Sequence, residues 1–269
     1  MSRPASLELQ AVRKVFFPGT ANEVVALNGI DLEVPVGQFV SIIGSNGSGK
    51  STLLNTIAGM YPVSSGCVLL DGVDVTRQRE FQRSRLIGRV FQDPTAGTAP
   101  SMTIEENLAI SFMRERRSGL RLGVTNRRRE FMRTHLEPLG MGLEHRLKAQ
   151  VNKLSGGQRQ AMSLLMATES EPSILLLDEH TAALDPKVAA TIMDLTAKMV
   201  SERGLTTLMV THNMELALRY GERLIMMHEG RVVLDLGPTE KEALQVSDLI
   251  DMFHKVAGEA FAVDRLLLE

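Results

Sequence analysis

The sequence predicts an α/β fold: a parallel sheet that carries a glycine-rich loop, with a helical segment inserted into it. Three observations carry the prediction. Gln38 to Ile43 is a short apolar run that leads straight into Gly44-Ser45-Asn46-Gly47-Ser48-Gly49-Lys50-Ser51. Two further apolar runs, Ile174 to Leu177 and Thr206 to Val210, are separated by a stretch that opens a helix near Pro186, where proline suits the first turn. Such runs, bounded by turn residues, are strands buried on both faces, and their alternation with helices marks an α/β core. From about 103 to 167 the chain has helical periodicity, several arginines and little β-branched clustering, which makes that stretch a helical insertion.

Taken in order, Leu7 to Val12 and Ala26 to Val34 alternate apolar and polar side chains and read as strands of an antiparallel sheet. Gln38 to Ile43 is the buried strand before the glycine loop, and Ser51 to Gly59 is the helix that follows it. The helical insertion ends in a helix that starts just after Ser155. Beyond Gly237 the chain runs only to Glu269, as one or two helices. Residues 1–237 are thus expected to form one domain with a helical subdomain inserted at about 93–167, and residues 238–269 a short helical extension.

The length of 269 residues suits one domain with an insertion better than two independent domains. A net charge of −2 gives no reason to expect nucleic acid as the main ligand. No apolar run approaches the roughly 20 residues that cross a bilayer, and the first residues, Met-Ser-Arg-Pro-Ala-Ser, lack the apolar core of a signal peptide. The expectation is a cytoplasmic chain that reaches any membrane through a partner. The single cysteine, Cys67, forms no internal disulfide and no cysteine-based zinc site, and reads as a small core residue. Met193, Met199, Met209, Met226 and Met227 fall in apolar patterns and read as core filling.

In the loop from Gly44 to Ser51, glycines at 44, 47 and 49 let consecutive backbone N–H groups turn inward, an anion nest at the positive end of the next helix. Lys50 is placed to span the β- and γ-phosphates as a point charge, the Ser51 hydroxyl to ligate Mg²⁺, and Thr52 to support the α-phosphate. The competing reading is a glycine-rich turn without function; the phosphate loop is preferred because every fixed position and both flanking elements are present. Asp178 ends an apolar strand, which puts its carboxylate at the carboxyl edge of a parallel sheet, where α/β folds bind ligands; it would hold the hydration shell of Mg²⁺. Glu179 follows, and a carboxylate there can orient and deprotonate the water that attacks a γ-phosphate. Its bland alternative is a solvated acid at a strand end.

Between these features lies Leu154-Ser155-Gly156-Gly157-Gln158. With that run in place the chain resembles an ATP-binding cassette nucleotide-binding domain from about Leu7 to Gly237. The resemblance implies a P-loop NTPase core, with a RecA-like sheet, an antiparallel β subdomain and an inserted α-helical subdomain, acting on ATP with Mg²⁺. Gln92, in Val90-Phe91-Gln92-Asp93, occupies the position of the family's glutamine loop, whose amide touches Mg²⁺ and the attacking water. Ser155, Gly156, Gly157 and Gln158 match the signature, which binds the γ-phosphate of ATP on the opposite subunit, so the resemblance implies a homodimer closed by two ATP molecules. Asp185, in Ala182-Ala183-Leu184-Asp185, stands at the D-loop, which couples the subunits, with alanine where serine is more usual. His212 matches the switch histidine at the γ-phosphate. Val12-Arg13-Lys14-Val15-Phe16 resembles the family's aromatic loop, which implies that Phe16 stacks on adenine, with Phe17 as the second choice; the alternative is that Phe16 merely caps the small sheet.

One residue departs from the pattern. His180 follows Glu179 where most of the family has proline. It either adds a titratable group beside the glutamate or turns away and bonds to backbone, and the second, structural, reading is preferred. The run from Asp178 to Asp185, with Phe91 to Pro94 and Gly97 to Thr103, resembles an importer branch whose ATPases pair with permeases and binding proteins for tryptophan, tyrosine or related small solutes. The resemblance therefore implies solute uptake through a separate permease, with an extracytoplasmic substrate-binding protein and a peripheral place on the cytoplasmic face of the inner membrane. An export or lipid-handling motor, and a soluble single-cassette factor for assembling protein complexes, are the alternatives. Arg114, Arg116, Arg117, Arg121, Arg127, Arg128, Arg129 and Arg133 make a dense positive stretch, read either as a face for anionic lipid or a partner's loop, or as a solvated helix face around a Gly119 to Gly123 turn.

Overall fold

Alternation of side chains, interrupted by bulges such as that between Leu9 and Val12, produces the two longest strands. Leu7, Leu9 and Val12 on one and Leu27, Ile30, Leu32 and Val34 on the other point to one face and are buried, giving β1 (Ala5–Phe16) and β2 (Val24–Pro35). They pair antiparallel with Leu9 opposite Leu32 and Val15 opposite Val25. The computed structural model describes residues 5–112 and 124–255. These fall into two compact units, one from the chain up to Gln78 together with Leu208 onward, the other Arg79–Thr207.

In the first unit β3 (Phe39–Gly44) is buried from Phe39 to Ile43 and runs into the glycine loop. Helix α1 (Lys50–Ala58) follows and is stopped by Gly59 in the left-handed conformation. Strands β4 (Ser65–Leu70) and β5 (Val73–Asp74) then complete an antiparallel sheet of order β2-β1-β4-β5.

The second unit starts with the short α2 (Glu80–Arg83) and β6 (Ile87–Val90). Three longer helices follow: α3 (Ile104–Phe112), α4 (Asn126–Leu136) and α5 (Gly156–Thr168), the last two linked by 3₁₀ turns. Strand β7 (Ile174–Asp178) lies parallel to β6, with Val90 opposite Leu177, and α6 (Pro186–Arg203) closes the unit. A side chain at Gly88 on β6 would begin 2.2 Å from the Ala167 carbonyl of α5, so glycine sets how closely helix and strand approach. The Arg129 guanidinium donates to both carboxylate oxygens of Glu105 at 2.7 and 3.2 Å and fastens α4 to α3.

The chain re-enters the first unit along β8 (Thr207–Val210), followed by α7 (Met214–Arg219), β9 (Arg223–His228), β10 (Arg231–Leu236) and α8 (Pro238–Glu242). The strands there run in the order β10-β9-β3-β8, with β9 parallel to β3 and Ile42 opposite Ile225. Residues 246–255 are helical. Leu249 from that segment is fully buried in a cluster with Ile43, Ala217, Leu224, Met226 and Leu236, and Leu244 and Phe253 pack against it.

Leu244, Leu249 and Phe253 thus tie the segment after α8 to the first unit's core, and in the second unit α5 packs on β6 at Gly88 and on α6 at Gly157. The five methionines singled out above are buried. Of the arginine stretch, Arg114, Arg116, Arg117 and Arg121 and the turn at 119–123 lie outside the described residues. Arg129 is paired with Glu105 and Arg133 with Glu130, which leaves the stretch less positive than its composition. Among the described residues no helix is long and apolar enough to cross a membrane.

Candidate nucleotide-binding site

The first unit carries the phosphate loop between β3 and α1. Two of its glycines are required by geometry. A Cβ at Gly44 would sit 2.2 Å from the Met227 carbonyl of β9, and one at Gly49, where φ is +99°, would sit 2.5 Å from the Ala26 carbonyl of β2. The turn between β9 and β10 supports the loop, since Gly230 N–H donates to the Ser48 carbonyl at 3.0 Å and Asn28 N–H donates to the Gly230 carbonyl at 2.8 Å. The Lys50 ammonium, 6% exposed, donates to the carbonyls of Gly44 and Ser45 at 2.8 Å each and to Ser48 Oγ at 3.4 Å. Asn46, Gly47 and Ser51 are open to solvent, and Thr52 is half-buried in the first turn of α1. A cation, a helix N-terminus and glycine-permitted backbone thus converge on one loop, an arrangement that binds phosphate.

Phe16 ends β1. Its ring meets that of Tyr61 edge to face at 5.2 Å, and the Lys14 ammonium sits 4.9 Å from the Phe16 centroid while donating to the Pro62 carbonyl at 2.9 Å. Burial holds the Lys14 pKa below the ordinary lysine value. Phe17 is 66% exposed with φ +51° and makes no such cluster. His212 is exposed in the turn after β8, whose Thr211 Oγ1 accepts from Asn213 N–H at 3.0 Å.

In the second unit Asp178 ends β7 and its Oδ2 lies 3.4 Å from the Arg89 guanidinium, which stacks 4.5 Å from the centroid of Phe91. Glu179 is half-buried and takes a φ of +45°, a left-handed conformation that is costly for a residue with a side chain. The His180 ring is 2% exposed and its Nε2 lies 3.2 Å from Thr196 Oγ1; burial pushes its pKa down to about 4. The histidine is therefore neutral near pH 7 and bonds to a side chain, where the sequence reading had it bonding to backbone. Gln92 is exposed just beyond β6, and the neighbouring Phe91 carbonyl accepts from Gln160 Nε2 at 3.1 Å.

Ser155 is the N-cap of α5. Its Oγ accepts from Gln158 N–H at 3.2 Å, and Gln158 Oε1 accepts from Ser155 N–H at 3.1 Å, a reciprocal capping box. A Cβ at Gly156 would lie 3.1 Å from Leu184 Cδ2, and one at Gly157 only 2.4 Å from Val188 Cγ1 of α6. Asp185 is exposed at the N-cap of α6.

The structure divides the predicted residues into two sets: Phe16, Gly44 to Thr52 and His212 in the first unit, and Gln92, Ser155 to Gln158, Asp178, Glu179 and Asp185 in the second. Three neighbours were missed by sequence reasoning: Arg89, Gly230 and Tyr61. Arg89 is a charge within an otherwise apolar strand, and Glu229-Gly230 between two apolar runs is a hairpin signal, but neither tells what the residue meets. Tyr61 gave no signal.

A phosphate loop after a parallel strand, with an acidic pair closing another strand, defines a nucleotide-hydrolysing α/β protein. Residues 27–182 match the ABC transporter family. A tyrosine transport ATP-binding protein of Clostridioides difficile (strain R20291) is 44% identical over 247 residues, which are 92% of this chain and 98% of that protein. The sulfate/thiosulfate import ATP-binding protein CysA of Nocardia farcinica is 39% identical over 77% of this chain and 59% of its own. Among solved structures, the dimeric cassette MJ0796 in a post-hydrolysis state with ADP and Pi superposes with a TM-score of 0.72 at 33% identity, over 86% of this chain and 98% of that one. cbiO1 from Clostridium perfringens, part of the transporter complex cbiONQ, gives 0.74 at 26% identity over 98% and 100%. This chain belongs to the ATP-binding cassette transporter family, and it is the ATP-binding, ATP-hydrolysing subunit.

Proposed function

We propose that this chain is the ATPase motor of an uptake system for an amino-acid-like solute, working as an ATP-closed homodimer on a separate membrane permease. The observation that carries this reading is the 44% identity to a tyrosine transport ATP-binding protein over nearly the full length of both chains. Dimerisation is supported by the dimeric form of the MJ0796 cassette. The motor would sit peripherally on the cytoplasmic face of the inner membrane, held there by the permease and served by an extracytoplasmic substrate-binding protein.

The residues of each set keep the roles that the family resemblance implies for ATP. Phe16 stacks on adenine. The loop from Gly44 to Gly49 cradles the phosphates with its N–H groups, Lys50 spans the β- and γ-phosphates, and Thr52 supports the α-phosphate. Mg²⁺ fits the hard oxygens of the Ser51 hydroxyl, the Gln92 amide and, through water, the Asp178 carboxylate, and when bound it supplies charge neutralisation on the phosphates. Glu179 accepts a proton as water oxygen bonds to the γ-phosphorus and the bond to the bridging oxygen breaks, releasing ADP and phosphate. His212 and Gln92 hold the γ-phosphate and the water in line. Ser155, Gly156, Gly157 and Gln158 of the second copy complete the site, and Asp185 links the two copies, so that hydrolysis opens the dimer and resets the permease.

Capture of tagged Glu179→Gln from detergent-solubilised native membranes, with ATP and Mg²⁺ present, tests the transport role. A co-purifying permease with several membrane spans is expected. Recovery of soluble proteins alone would favour the assembly-factor alternative.

A further inference from the structure

We propose that His180 is a positioning residue for hydrolysis: its ring, fastened to Thr196 of α6, holds the turn that presents the Glu179 carboxylate. The inference rests on the reading of Glu179 as the residue that activates water.

A left-handed conformation at a residue with a side chain persists only where the surroundings over-determine it. Here φ at Glu179 is +45°. The backbone supplies one constraint, since Ala182 N–H donates to the Glu179 carbonyl at 2.9 Å and closes a turn. Burial supplies another, because the next two residues, His180 at 2% and Thr181 at 8% exposure, point inward and cannot rotate out without leaving holes. The third is specific. His180 Nε2 lies 3.2 Å from Thr196 Oγ1, and Thr196 is itself fully buried.

The direction of that bond follows from proton counting. Thr196 Oγ1 lies 2.7 Å from the Ile192 carbonyl and spends its one proton there. It is left as an acceptor, so His180 must carry its hydrogen on Nε2 and donate. Burial favours that neutral ring, with a pKa pushed down to about 4. Where the family resemblance places proline, whose own ring fixes its φ, this chain fixes the turn through a side-chain strut. The strut ends on α6, the helix whose first turn also meets Gly157 of the signature through Val188.

The test measures kcat and KM for ATP in His180→Ala, Thr196→Val, the double variant and His180→Gln, whose amide N–H can still donate to Thr196. Misplacement of a catalytic group slows the chemical step more than it weakens binding, so kcat should fall about tenfold in each of the two single variants with KM for ATP moving less than about twofold. The double variant should be no slower than the slower single one, and His180→Gln should recover most of the lost rate. An unchanged kcat, losses that multiply in the double variant, or kcat and KM that worsen together with no recovery in His180→Gln would each overturn the proposal. If His180→Ala fails to fold, Thr196→Val still decides, because it removes the acceptor and keeps the ring. Glu179→Gln is run alongside: full hydrolysis in that variant would remove the Glu179 reading itself, whereas its loss beside normal rates in the His180 and Thr196 variants would remove only the strut.

Discussion

Replacing Gly157 by alanine puts a methyl group 2.4 Å from Val188 Cγ1, between the signature helix and α6. Carbon atoms rest at about 3.5–4.0 Å, so more than about 1 Å of overlap must be relieved. Val188 cannot turn aside cheaply, since a valine on a helix holds one χ1 rotamer in about 90% of cases. Relief has to come from an off-rotamer side chain or from separation of α5 and α6, and overpacking of this kind costs about 1–3 kcal/mol. Alanine recovers up to about 1 kcal/mol over glycine inside a helix, which leaves a net loss near 1 kcal/mol. The sharper quantity is the coupling: with Val188→Ala also present the clash is gone, so the two substitutions should differ from additivity by about 1–3 kcal/mol in the stabilising direction. The chain has no tryptophan, so urea unfolding of the four proteins is best followed by far-ultraviolet circular dichroism. Additivity within about 0.5 kcal/mol would refute the packing argument for Gly157.

The same reasoning fixes other outcomes. Leu249 is fully buried against Met226 and Leu236, so Leu249→Ala should cost about 2–4 kcal/mol in urea unfolding, although it lies in a short C-terminal segment. Ser155→Asp keeps an N-cap oxygen for Gln158 N–H and should preserve the melting temperature, while its negative charge facing the proposed γ-phosphate should abolish ATPase activity. Lys241, 5% exposed, donates to the Tyr220 and Gly221 carbonyls; burial pushes its pKa down to about 8 against the upward pull of Glu222. Between pH 8 and about 10.5 the unfolded lysine therefore binds more protons than the folded one, and stability rises with pH across that window. Thermal denaturation should show wild type gaining on Lys241→Met by about 1–2 kcal/mol from pH 7.5 to 10.5, the full shift being reduced by solvent screening; a constant difference would refute it.

The phosphate loop and the acidic pair were legible because their information is local: a glycine spacing, an apolar strand before it, two carboxylates at a strand end. The strands around them were legible from periodicity. What stayed hidden depends on residues brought together from far along the chain. Arg89 reaches Asp178 because β6 and β7 lie side by side, and nothing in the intervening sequence gives that pairing. His180 left two readings open, since its partner Thr196 comes into reach only when α6 lies against the turn. In the arginine stretch composition counts charges and not pairs, and the pairing of Arg129 with Glu105 of α3 likewise depends on a residue distant in the chain. Short elements such as β5 and α2 have too few residues for any period to register.

The central claim is an ATPase whose site is completed by a second copy of itself. Light scattering on purified Glu179→Gln, with ATP and Mg²⁺ and then with ADP, tests it most directly. A particle of twice the 29.6 kDa monomer with ATP, reverting to monomer with ADP and lost when Ser155→Asp is added, is the predicted result. A protein that binds ATP and remains monomeric at every concentration would contradict it.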